Sequence, residues 1–216
     1  DYRECMENSW DILAGVYAVS ELLGVDQTYI AIEDNKPDAI RVLSEIASDK
    51  NDPEHKVSVK VLPSRYPQGA EKVLIKAVTG RVVPKGKLPS DVGVCVMNVT
   101  SIAFLARFLK TGMPLTQKRL TIDGSAVREP KNVIVPIGAP IHDVIEFAGG
   151  YQGEPAKILM GGPMMGLTLT DDSLPVVKNN NAILAFDKKD AKLLEPSACI
   201  RCGKCAAACP MSLVPP

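Results

Sequence analysis

Four thiols close together near the C-terminus are the residues best equipped for chemistry. Cys199, Cys202, Cys205 and Cys209 follow the spacing C-x2-C-x2-C-x3-C, with Pro210 directly after the last. Thiolates at this pitch wrap a tight loop around an iron–sulfur cubane, so that each reaches a different iron. Gly203, Ala206, Ala207 and Ala208 are small enough to admit a cluster and let backbone N–H groups approach its sulfurs, which tunes its potential. Pro210 redirects the chain. A structural zinc site competes for the same residues, but such sites usually draw on two separated cysteine pairs. The run therefore reads as ligands for [4Fe–4S] chemistry, and the molecule as one that moves electrons. In the bacterial two-cluster pattern the fourth cysteine serves the other cluster. Cys199, Cys202 and Cys205 are thus expected to hold one cluster and Cys209 to reach toward a second. The sequence holds no second run, so normal cluster assembly in this chain is not expected. Recovery of about four irons per chain after anaerobic reconstitution contradicts that expectation.

The elements ahead of this run alternate. Ile12, Leu13, Val16, Val19 and Leu23 fall at helical spacing, with Gly24 as a stop. Thr28–Ile32 is an apolar run of the kind buried in a parallel sheet. Asn35 and Pro37 suit the start of a helix lined by Ile40, Leu43 and Ile46. Strands follow at 57–62 and 92–97, and helices at 69–79 and 100–110, closed by Gly80 and Gly112. This grammar predicts an α/β domain with a parallel sheet, its ligands beyond the carboxyl ends of the strands. Three polar clusters fall there: Glu33 to Lys36, Arg65 to Glu71, and Asn98 to Ser101. After about 115 the pattern changes. Arg119–Ile122 and Ala126–Val127 flank Asp123-Gly124, a hairpin signal. Strands are expected at 132–136, 157–160 and 182–186 and a short helix at 140–148, giving a small α+β unit.

Charge excludes some classes. Twenty-five Lys and Arg balance twenty-five Asp and Glu, which gives no basic face for nucleic acid. The longest uncharged run, between Asp91 and Arg107, is shorter than the roughly 20 apolar residues a spanning helix needs. No leader is recognisable behind Asp1-Tyr2-Arg3-Glu4. The opening at Asp1 and the close at Pro215-Pro216, just past the cysteines, read as the ends of an excised fragment.

Four segments in order, Ile32–Ile40, Tyr66–Lys72, Gly161–Gly166 and the cysteine run, resemble the C subunit of the Rnf complex, the ion-translocating ferredoxin:NAD oxidoreductase. The resemblance covers nearly the whole chain. It implies a Rossmann-like FMN- and NADH-binding domain over 1–114 and a β-grasp-like domain of the soluble-ligand-binding type over 115–170. A return strand and linker over 171–195 and the first half of a two-cluster ferredoxin-like segment over 196–216 complete the layout. It also implies that Tyr66, Gly69 and Glu71 lie on the flavin and nicotinamide loop, and that Asn98 and Ser101 form a second flavin-contacting turn. Ala70 stands where the flavoprotein of complex I, a related protein, has an acid. The intact protein is expected to hold FMN and two [4Fe–4S] clusters, to take NAD(H) as substrate, and to meet ferredoxin indirectly. Its expected partners are the other subunits of the membrane complex, at the cytoplasmic face of the bacterial membrane, without a span of its own. The family's glycine-rich flavin loop is expected ahead of Asp1. FMN binding by this chain is therefore expected to be weak or nil, and the chain alone inactive. The alternative implied by the related cobalamin reductase is an electron wire or docking module with no NADH chemistry; a third reading is a zinc-stabilised adaptor.

Plain structural roles stand beside these. Glu33–Lys36 suits a solvated turn and cap, Glu71 a first-turn acid, and Asn98 a strand-end turn. Gly161–Gly166 suits a hairpin, and Met164 and Met165 core filling. Cys5 and Cys95 suit buried thiols, while His55 and His142 have no metal partner at useful spacing.

Overall fold

The computed structural model describes residues 1–49, 56–193, 195–209 and 213; His55 and Pro210 lie outside them. The chain divides into two compact units, Asp1–Met113 with Arg201–Pro216, and Pro114–Ile200.

In the first unit, α1 (Tyr2–Glu7) and α2 (Ser9–Leu23) lead into β1 (Gln27–Glu33), α3 (Pro37–Asp49) and β2 (Lys56–Leu62). The strands pair in parallel, Gln27 opposite Lys56 through Glu33 opposite Leu62. A crossover helix makes that pairing possible, and α3 supplies it. The expected apolar stripes are the core: Ile12, Leu13 and Val16 of α2 and Leu43 and Ile46 of α3 are buried with Ile30 and Ile32 of β1. Helix α4 (Glu71–Thr79) and α5 (Val99–Thr111) follow. Gly24, Gly80 and Gly112 end α2, α4 and α5 in the left-handed conformation, as a helix stop without a Cβ allows. Arg107 of α5 ties down Glu4, at 2.8 Å, and Asp11, at 3.3 Å. The Glu4 carboxylate is almost wholly buried, so the charge is admitted to the interior only with its partner.

One expected element is missing. A strand over 92–97 is not formed: Pro89–Val92 is a 3-10 turn, and Val94–Asn98 joins no ladder. The sheet of this unit is β1–β2 among the described residues. The segment still has the burial alternation of a strand, with Val94 and Val96 half-buried and Cys95 and Met97 exposed. What it lacks is a neighbouring strand at hydrogen-bonding distance. The expectation of a buried Cys95 fails for the same reason, whereas Cys5 is buried.

The second unit is a five-stranded mixed sheet in the order β4-β3-β7-β5-β6. These are β3 (Gln117–Asp123), β4 (Lys131–Pro136), β5 (Lys157–Met160), β6 (Leu167–Leu169) and β7 (Ala182–Phe186), with α6 (Ile141–Phe147). Strand β7 runs parallel to β3 and antiparallel to β5. Ile183 of β7 packs with Leu120, Ile122, Ile141, Ile145 and Ile158. The hairpin expected at Asp123-Gly124 is not a two-residue turn, because β3 pairs with β4. The Ala126 amide donates instead to the Ala185 carbonyl at 3.0 Å. A Cβ on Gly124 would overlap that same carbonyl, and its φ is +117°. The glycine serves close approach to β7 rather than a tight hairpin. Gly161–Gly166 does connect a hairpin, β5 to β6, but Met164 and Met165 stand exposed at its tip and fill no core.

Candidate functional site

The chemistry-bearing residues of the first unit sit where chain segments leave regular structure. The loop from Arg65 into α4 is built by two turns, Gln68 N–H to the Arg65 carbonyl and Ala70 N–H to the Pro67 carbonyl, both 2.8 Å. It contains a cis Tyr66–Pro67 bond. Tyr66 is 66% exposed and its ring is free for stacking. Gly69 has no heavy atom within 4 Å of where a Cβ would stand, so an incoming group can approach the backbone there. Glu71 is the first residue of α4, where the helix dipole favours an acid. Between them Gln68 is 3% exposed, and its buried Nε2 has no hydrogen-bond partner among the described residues. A buried donor left unspent costs about 1–3 kcal/mol. The loop thus combines an exposed ring, an open backbone and an unused donor, which suits a flat ligand rich in acceptors. Gln68 escaped the sequence reading because its burial comes from tertiary packing.

Asn98 and Ser101 share the first turn of α5. Asn98 is its N-cap, the side-chain oxygen accepting from the Thr100 amide at 2.9 Å. Its amide donates to Asp1 Oδ2 and the Thr100 hydroxyl to Asp1 Oδ1, both at 3.1 Å. Asp1, unmarked in the sequence, therefore places a carboxylate at this helix N-terminus, the position an anion prefers. The plain reading of Asn98 as a turn residue is too weak, since it is a working cap. The Ser101 hydroxyl makes no side-chain hydrogen bond among the described residues.

These two groups do not line a cavity of about 680 Å³ in this unit. That space is bordered by α2, β1, α4 and residues 93–97.

Of the four cysteines of the run, Cys199, Cys202 and Cys205 are exposed and Cys209 partly so. Arg201 and Gly203 have positive φ, 55° and 74°, and this tight winding precedes the short α7 (Lys204–Ala208). Cys209 Sγ accepts from the Leu213 amide at 3.4 Å, the kind of N–H···S contact that tunes a cluster. Among the described residues no three His, Cys, Asp or Glu side chains converge on one point as metal ligands do. The donor set, four thiols on a tightly wound loop of small residues, fits an iron–sulfur cluster in its chemistry.

The second unit holds a polar trio that spacing did not reveal, because its members are 21 and 30 positions apart. Asp172 Oδ2 accepts from Tyr151 Oη at 2.7 Å and meets His142 Nδ1 at 3.1 Å. The backbone joins in: the Ile141 and His142 amides donate to the Leu174 and Asp172 carbonyls. Burial pushes the Tyr151 hydroxyl up, and its bond to Asp172 adds to this. Burial opposes ionisation of Asp172, but hydrogen bonds from Tyr151 and His142 outweigh it and hold the carboxyl below its usual range. The bond to Asp172 raises His142. A histidine raised on folding stabilises the fold below its unfolded pKa near 6.5, and the contribution is lost as pH rises through the folded value. Proton NMR titration is expected to place His142 above 6.5, and Asp172→Asn to return it to the ordinary value. An unshifted His142 excludes the ion pair.

Comparison with known proteins adds to this geometry. Residues 1–107 match the Nuo51 FMN-binding domain, 119–168 the SLBB domain, and 194–212 the 4Fe-4S binding domain. The C subunit of the proton-translocating ferredoxin:NAD(+) oxidoreductase complex of Clostridium ljungdahlii is 45% identical over 215 residues. That alignment covers 100% of this chain and 46% of that protein. The C subunit of the Na(+)-translocating ferredoxin:NAD(+) oxidoreductase complex of Acetobacterium woodii is 43% identical, over 100% of this chain and 48% of that protein. The chain thus spans about half the length of these curated relatives. The crystal structure of an NAD+-reducing [NiFe]-hydrogenase in the H2-reduced state superposes with a TM-score of 0.71 at 18% identity. The match covers 88% of this chain and 38% of that one, and this likeness shows the fold. Among the described residues no helix is long and apolar enough to cross a membrane.

Proposed function

We propose that this chain, which belongs to the family of C subunits of ion-translocating ferredoxin:NAD oxidoreductase complexes, relays electrons between NAD(H), a flavin and iron–sulfur clusters. The observation that carries the reading is the order of parts in one polypeptide. A flavin-type α/β unit and an SLBB-type unit precede a C-x2-C-x2-C-x3-C-P run. FMN, when bound, supplies the exchange between two-electron hydride chemistry and single electrons.

The residues of this chain have distinct parts in the proposal. Tyr66 offers its exposed ring for stacking, and Gly69 leaves the backbone open to the ligand's face. Gln68 supplies the spare amide donor, and Glu71 an acceptor for nucleotide hydroxyls. Asn98 and Ser101 meet the polar end of the flavin at α5, where Asp1 must yield its place if a phosphate is to enter. Cys199, Cys202 and Cys205 hold one [4Fe–4S] cluster and Cys209 turns to a second. The chain docks with the other subunits at the cytoplasmic face of the membrane, and ferredoxin is met indirectly.

The test is NADH-driven dye reduction by a polypeptide of the relatives' length, purified without oxygen. Reduction with iron, sulfide and flavin present is the expected outcome. Silence with clusters intact favours an electron wire without its own NADH chemistry. A colourless, iron-free protein with stoichiometric zinc overturns the redox assignment.

A further inference from the structure

Charge that balances over the whole chain does not balance along it. Between Arg65 and Ser90 stand six basic residues, Arg65, Lys72, Lys76, Arg81, Lys85 and Lys87, against the single acid Glu71. Helix α4 carries Lys72 and Lys76 one turn apart on one face. The segment after α4 folds back on it. Pro89–Val92 packs against the helix, and Arg81 donates to the Val92 and Gly93 carbonyls at 2.8 and 3.0 Å. The Lys87 amide donates to the Pro84 carbonyl at 3.1 Å, closing a tight turn in which Gly86 has a φ of +77°. That turn leaves Lys85 and Lys87 exposed. Among the described residues none of the four lysines has an ion pair. Glu71 stands at the start of α4, and the Asp91 carboxylate is spent on the Leu88 amide at 2.8 Å. Beside the lysines, Val82 and Leu88 are 60% and 65% exposed.

We propose that this basic, partly apolar surface of the first unit docks directly on an anionic lipid bilayer. The side-chain chemistry selects that occupant. Lysine is a compact, hydrated point charge on a flexible stem, and each one near an anionic leaflet adds an attraction that needs no fixed partner. A protein partner selects differently: protein interfaces are depleted in lysine and enriched in arginine, whose fork pairs with carboxylates. Here Arg81, the arginine inside the stretch, is committed to backbone carbonyls. A nucleotide is too small an occupant. The lysines are spread along α4, about 14 Å long at 1.5 Å per residue, and over the turn beyond it, further than one pyrophosphate reaches. Val82 and Leu88 supply the apolar contact that surface-bound segments make at headgroup level beside their lysines. Such docking is a property of this chain itself, distinct from attachment through other subunits. The relatives are subunits of ion-translocating complexes, so a bilayer lies within their reach.

Vesicle flotation tests this with the chain as it is. Binding to vesicles of equal parts phosphatidylcholine and phosphatidylglycerol is expected, with none to pure phosphatidylcholine. Release is expected at about 1 M salt, where charges are screened within about 3 Å. Lys85→Glu with Lys87→Glu is expected to weaken binding at least about 25-fold, roughly fivefold for each lysine removed from the surface. Lys85→Arg with Lys87→Arg keeps the charge and is expected to bind as the parent does, which separates charge from folding. Lys178→Glu with Lys192→Glu makes the same change in net charge at exposed positions of the second unit, and is expected to leave binding unchanged. Failure to bind anionic vesicles overturns the proposal. So does equal weakening in the two glutamate variants, which assigns the attraction to net charge alone. Tighter binding to polyglutamate than to the vesicles also overturns it, since that assigns the surface to an acidic protein.

Discussion

Gly15→Ala is expected to cost the first unit about 3 kcal/mol or more, the upper part of the range for overpacking. Gly15 lies within α2, where alanine is ordinarily the better helix former by about 1 kcal/mol. Propensity alone therefore predicts a gain. Packing reverses the sign, because a Cβ at position 15 would overlap the backbone carbonyl of Ile102 in α5. A flexible side chain could swing away, but a helix carbonyl can move only with its helix. Separating α2 from α5 loosens Ile12, Val16, Ile102 and Ala103, which pack in one cluster. It also stretches the Arg107 pairs with Glu4 and Asp11. Trp10, the only tryptophan, lies in α2 and reports this unit in urea denaturation. Gly69→Ala is the control: with open space around it and no positive φ, the change is expected to stay within about 0.5 kcal/mol. A stabilised Gly15→Ala protein disproves the close approach of α2 to α5.

Cys202→Ser is expected to have the largest functional effect. Thiolate sulfur is the donor that iron–sulfur clusters require, and a serine hydroxyl at that position is a poor replacement. In the longer polypeptide, iron and labile sulfide should fall together by about one cluster's complement, near four of each. Electron delivery from NADH to an acceptor beyond the clusters should drop more than about 100-fold, past what loss of a supporting hydrogen bond produces. Cys209→Ser separates the assignment further. If Cys209 serves a second cluster, the electron paramagnetic resonance signal lost differs from that lost in Cys202→Ser. Cys95→Ser should leave iron unchanged. Full iron content in Cys202→Ser removes Cys202 from the ligand set.

Much of this molecule is written in short stretches of sequence. The cysteine pitch is local, so the ligand chemistry could be read from eleven positions without a fold. The same holds for α2, α3 and α5, whose apolar residues repeat with the turn of a helix and whose glycine stops at 24 and 112 need only their own backbone. The alternation of these helices with β1 and β2 was enough to give a parallel α/β domain, and Ala182–Phe186 was legible as a strand from its apolar run.

What separate segments do to one another was not legible. Val92–Met97 has strand residues, yet a strand exists only against a neighbour, and among the described residues none pairs with it. Asp123-Gly124 carries a hairpin signal, yet Gly124 answers to Ala185, sixty-one positions on. Cys95 and Met165 are apolar and still exposed, because burial is a property of the packed whole. Gln68 gained its role from burial that leaves its amide without a partner among the described residues, whereas Asp1 and the His142–Asp172–Tyr151 trio gained theirs from contacts that bring distant residues within hydrogen-bond reach. The sequence by itself determined the helices and the order of the matched segments, since each is written along a continuous stretch of residues. Tertiary structure alone decided which polar groups stay unspent and which glycines are irreplaceable, since those depend on where chain segments meet in space.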